Sequence, residues 1–111
     1  MQQHGQLSQS GTSNILQPLR ERLDSINLQM VDLLSERMKL CMGIAELKAA
    51  HGIAMMQPGR ISHVLEMIKE RSQTTGLRPE YTESIFKLII AETCTQEDVL
   101  INQRLNRGVS S

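Results

Sequence analysis

Leu19, Leu23, Ile26, Met30, Leu33, Arg37, Cys41, Ile44 and Lys48 follow one another in alternating steps of four and three with few departures. That spacing belongs to a single stripe running down a helix. Pro18 suits a first-turn position and Gly52 a stop, so the pattern predicts a helix over about residues 18–50, roughly 50 Å long. Nothing else in a chain of 111 residues is long enough to cover such a stripe. Association of two copies is the physical remedy, with both long helices buried in an intertwined bundle of six.

The rest of the chain supports an all-α fold of three helices, one long and two shorter. Its core must be made from Leu, Ile, Met and Ala, because there is one Tyr, one Phe and no Trp. Such side chains suit interdigitating helices better than sandwiches or barrels. After a break at His51–Pro58, a second helix carries Ile61, Val64, Leu65 and Ile68 and ends before Gly76. Arg78 and Pro79 open the third, where Tyr81, Ile85, Phe86, Leu88, Ile89, Thr93, Glu97 and Leu100 keep helical spacing to about Asn106. Residues 1–13, rich in Gln, Ser and Gly, read as a disordered tail, 14–106 as one helical domain, and 107–111 as a frayed end.

Several classes of function are disfavoured. Twelve basic and twelve acidic residues leave no global field to draw in nucleic acid or a membrane surface. No apolar run approaches a membrane span, and the N-terminal segment has no signal-peptide pattern. Cys41 and Cys94 lack metal or redox spacing and suit reduced thiols in the cytoplasm, while His4, His51 and His63 show no metal-like arrangement.

Any anion site must therefore be local, and the long stripe supplies one. Arg37 and Lys48 lie eleven positions apart on it, leaving the same face about 16 Å apart along the axis. Their long stems allow the two heads to lean together. Arg20 is out of phase and about 25 Å before Arg37, so it reaches the same ligand only from the partner chain of an antiparallel dimer. Arg60 adds a cation at the start of the second helix, where backbone N–H groups also favour anions. Thr93 and Glu97 place a hydroxyl and a carboxyl one turn apart on the third helix. This set suits a compact dicarboxylate. Each member also has a plain reading: Arg20 as a solvated residue, Arg37 as a partner of Glu36, Lys48 as the ordinary cation of a helix C-terminus, Glu97 as half of a surface ion pair, and the Met residues as adaptable core.

These elements resemble the all-helical chorismate mutases of the AroQ type. The resemblance covers about Leu19 to Ile101 and rests on Leu19-Arg20, Leu23-Asp24-Ser25-Ile26-Asn27, Leu33-Leu34-Ser35-Glu36-Arg37, Lys48, Arg60, and Phe86-Lys87-Leu88-Ile89-Ile90 leading to Thr93 and Glu97. It implies the intertwined six-helix dimer with shared active sites, and the Claisen rearrangement of chorismate to prephenate with no cofactor or metal. It further implies that Arg37 and the partner's Arg20 hold substrate carboxylates, and that Lys48 donates to the ether oxygen. Arg60 then completes the cationic set, with Thr93 near a carboxylate and Glu97 as a second ether-oxygen donor.

Two positions depart from the usual pattern. The second donor is often Gln, and Glu97 can donate only when protonated. Gln57 and Ile61 stand where relatives commonly place acids against the substrate's C4 hydroxyl. The stretch Met55-Met56-Gln57-Pro58-Gly59-Arg60-Ile61 is closer to secondary-metabolism relatives, among them 4-amino-4-deoxychorismate mutases. Isochorismate pyruvate lyases share the fold, and a non-catalytic dimeric helical module is the remaining alternative.

Overall fold

The computed structural model describes the backbone of residues 6–110 and the side chains of residues 14–105. It contains α1 (Gln6–Ala50), α2 (Pro58–Thr75) and α3 (Pro79–Ser110), with no strand among the described residues. The all-α, three-helix expectation holds. Two compact units divide the chain, Met1–Arg37 and Met38–Ser111, the division falling within α1.

The helix ends differ from the sequence expectation. α1 starts at Gln6, so Pro18 lies inside the helix rather than in its first turn. Proline there removes one hydrogen bond and crowds the carbonyl four residues earlier, a cost of about 3 kcal/mol. The residue concerned, Asn14, is exposed, so water can satisfy its carbonyl. Of the expected disordered tail, residues 6–13 are helical backbone, and residues 1–5, His4 among them, lie outside the described residues. α3 is helical backbone past Asn106, to Ser110.

The described part of the first unit is helix alone. Leu19, Leu23, Ile26, Met30 and Leu33 are each between 51% and 62% exposed. Full burial of a side chain of this kind is worth about 1.5–3 kcal/mol. The stripe read from the sequence is thus present and largely uncovered.

In the second unit α2 and α3 pack against each other across a three-residue connection. Pro58 and Pro79 each open their helix at its first position, where a missing N–H costs nothing. α2 stops at Gly76, whose φ of 81° is the left-handed conformation that glycine adopts without strain. Gly76 N–H and Leu77 N–H both donate to the Ser72 carbonyl, the latter at 3.1 Å, and this turns the chain back on itself. Val64, Leu65 and Ile68 of α2 and Ile85, Phe86 and Ile89 of α3 are half-buried, and Ser72 and Thr82 form a buried hydroxyl pair between the two helices. Ala45 is the one fully covered hydrophobic residue among those described. Glu46 of α1 forms an ion pair with Arg104 of α3. Cys41 and Cys94 are half-buried and form no disulfide. No described helix is long and apolar enough to cross a membrane.

Candidate active site

The site is built outward from Lys48, in the last turn of α1. Its side chain is half-buried, and its Nζ donates to the Met55 carbonyl at 3.0 Å. The local backbone explains how residue 55 comes back to residue 48. Ile53 N–H donates to the Lys48 carbonyl at 2.8 Å, and Gly52 has φ 67°, the left-handed residue that closes a helix in this way. Lys48 is thus bound through both its backbone and its side chain by the segment that follows α1. Among the described residues, no carboxylate lies within ion-pair distance of its ammonium.

The sequence reads Met55, like the other Met residues, as adaptable core or pocket wall through its side chain. It is half-buried, but its carbonyl makes the contact, and a carbonyl has no residue signature. Gly52 was the one sequence signal for this turn.

On α3, Thr93 is only 8% exposed and its hydroxyl donates to the Ile89 carbonyl at 3.0 Å. This is a back-bond inside the helix, which holds the hydroxyl against the backbone of the preceding turn. Glu97, one turn later, is half-buried and makes no ion pair among the described residues, so the surface-pair reading of Glu97 is not what the structure shows. A half-buried carboxyl beside a buried hydroxyl on one helix face is a polar interruption of an otherwise apolar surface.

Gln57, Arg60 and Ile61 come together at the start of α2. Gln57 is the residue before the helix, with extended backbone, and its carbonyl accepts from Arg60 N–H at 3.0 Å and from Ile61 N–H at 3.2 Å. Its side chain makes no capping bond, so the exposed amide stays available as donor and acceptor. Arg60 is exposed and in no ion pair among the described residues, while Ile61 is half-buried. A cation over the first turn of a helix adds to the positive end of the helix dipole, which strengthens an anion site.

Arg20 and Arg37 belong to the first unit. Arg20 is exposed and Arg37 half-buried. The structure therefore groups Lys48, Gln57, Arg60, Ile61, Thr93 and Glu97 in one compact unit and assigns the two remaining arginines to the other.

Comparison with known proteins identifies the family of the chain. The profile of the family described as chorismate mutase type II matches residues 19–98, which takes in every residue of the candidate site. A 4-amino-4-deoxychorismate mutase of Streptomyces venezuelae is 34% identical over 90 residues, covering 81% of this chain and 87% of that protein. A second protein of that name, from Streptomyces pristinaespiralis, is 35% identical over 83 residues, covering 75% of this chain and 64% of its own length. A bifunctional chorismate mutase/prephenate dehydratase of Buchnera aphidicola is 28% identical over 95 residues, and the chain spans 25% of it. With three helices, no strand among the described residues and this match over most of its length, the chain belongs to the chorismate mutase type II family of isomerases.

Proposed function

We propose that the helical domain, residues 14–106, rearranges chorismate or its 4-amino analogue by an intramolecular Claisen reaction. The ether C–O bond breaks, a C–C bond forms across the ring, and negative charge grows on the departing ether oxygen in the transition state. Such a reaction needs the substrate held compact and that charge met by fixed donors. The observation that carries the reading is the half-buried Lys48 ammonium, hydrogen-bonded to a neutral carbonyl rather than paired with an acid. Among the described residues no acid compensates its charge, so it is available to an anion. A non-catalytic module with structural ion pairs along the stripe requires an acid at this position.

In this reading Lys48 meets the ether oxygen, Glu97 stands at the position of the second donor, and Thr93 orients a carboxylate. Arg37, the partner's Arg20 and Arg60 fix the substrate carboxylates, for which the guanidinium fork is suited. Gln57 faces the C4 substituent with Ile61 as its apolar neighbour. An uncharged amide accepts from an amine and exchanges hydrogen bonds with a hydroxyl. This neutral pair, together with the names of the two Streptomyces relatives, favours 4-amino-4-deoxychorismate as the second reading.

The exposed stripe of α1 supports a homodimer whose long helices cover each other. Two thiols that form no disulfide support a cytoplasmic setting.

The deciding experiment incubates purified protein with chorismate, 4-amino-4-deoxychorismate and isochorismate and identifies each product. Rearranged product from either of the first two supports the proposal. Pyruvate release from isochorismate marks a lyase, and no turnover of all three leaves the helical module.

A further inference from the structure

We propose that the Gly52 turn is a positioning element for the Lys48 ammonium, aiming it through the Met55 carbonyl. This inference rests on the assignment of Lys48 to the ether oxygen and says how the lysine is held for that task. A lysine head on a four-carbon stem is mobile, and a mobile donor stabilises a transition state poorly because it must be ordered during the reaction. Here the ordering is done beforehand by the chain itself. Ile53 N–H bonds the Lys48 carbonyl at 2.8 Å, which fixes where the chain leaves α1. Gly52, at φ 67°, reverses its direction. Three residues further on, the Met55 carbonyl lies 3.0 Å from Nζ. An ammonium has three N–H donors, so the Met55 bond uses one and leaves two for substrate oxygen atoms. The acceptor is neutral, so the head is oriented without its charge being cancelled.

The turn can be tested without crowding its surroundings. A Cβ built at Gly52 meets nothing within 4 Å, so a substitution there acts only through the backbone conformation that it favours. Alanine resists the left-handed region, whereas asparagine tolerates it. Gly52→Ala and Gly52→Asn therefore both add a side chain to open space and differ in whether the turn is kept.

The experiment measures kcat and KM for whichever substrate is turned over, and follows the Lys48 ammonium by NMR in protein carrying ¹⁵N-lysine. Gly52→Ala is expected to lower kcat about tenfold with KM changed far less, and to merge the Lys48 ammonium signal with those of solvated lysines. Gly52→Asn is expected to keep kcat within about twofold and to retain the distinct signal. Circular dichroism of all variants should match the parent. In a Lys48→Ala background, Gly52→Ala should cause no further loss, because the group it positions is gone.

Equal loss in the Ala and Asn variants overturns the proposal, since backbone conformation is then not the cause. So does an unchanged ammonium signal in Gly52→Ala, or an undiminished effect of Gly52→Ala in the Lys48→Ala background. If Lys48→Ala itself keeps full turnover, the role of Lys48 in the reaction fails instead. The ammonium signal still decides whether the turn holds that side chain.

Discussion

The Ser72 hydroxyl of α2 and the Thr82 hydroxyl of α3 are hydrogen-bonded to each other across a buried contact. Each also lies against a carbonyl of its own helix: Ser72 against Ile68 at 2.7 Å, Thr82 against Pro79 at 3.2 Å. Two hydroxyls share two protons, so one spans the helices while the other satisfies a carbonyl. Thr82→Val keeps the shape and leaves Ser72 its bond to Ile68. The expected cost is therefore about 0.5–1.5 kcal/mol rather than the larger penalty of an orphaned group. Urea unfolding of Ser72→Ala, Thr82→Val and the double variant should give a coupling energy of similar size, and additive losses would show the pair to be incidental.

Lys48→Ala should lower kcat by about two to three orders of magnitude, the usual consequence of removing one fixed donor from a charge that forms only in the transition state. Helix content and unfolding midpoint should barely move, because the side chain is half-buried and its one recorded bond is to a loop carbonyl. Near-normal turnover with intact circular dichroism would remove Lys48 from the reaction.

The proposed shared site makes a numerical prediction. In a dimer whose sites take Arg20 from one chain and Arg37 from the other, Arg20→Ala and Arg37→Ala homodimers are both impaired at every site. After subunit exchange at equal concentrations, half the dimers are mixed, and each has one intact site of two. Recovered activity should thus approach about a quarter of the parent's. Absence of recovery, with exchange confirmed by mass spectrometry, places both arginines in one chain's site or outside the site altogether.

In the proposed site Glu97 stands where a second donor would meet the ether oxygen, and an amide is a donor of the same shape. Glu97→Gln should therefore keep kcat at or above the parent's, with KM changed little. A loss of more than about tenfold would remove Glu97 from that position.

The helices were legible because their punctuation is chemical. Pro58, Gly76 and Pro79 mark ends that the structure reproduces, since a missing N–H and a left-handed φ restrict what can stand there. The start of α1 was not legible: Pro18 is a strong first-turn signal, but it is overridden where the freed carbonyl four residues earlier is open to water. The candidate side chains Lys48, Thr93 and Glu97 stood out as polar residues on apolar stripes, and the structure leaves all three buried or half-buried. The partner of Lys48 was not legible, because the Met55 carbonyl would be there whatever residue stood at 55. Sequence identifies side chains, while a backbone acceptor becomes visible only once the turn that delivers it is traced.

The three-residue link between α2 and α3 also bears on how the molecule is made. Closing so short a loop carries a small entropic cost, and contacts near in sequence form early. The α2–α3 hairpin can therefore assemble within one nascent chain, at a rate independent of protein concentration. In the proposed dimer the α1 stripe instead awaits a second chain, so refolding should show a fast first-order phase followed by a second-order one.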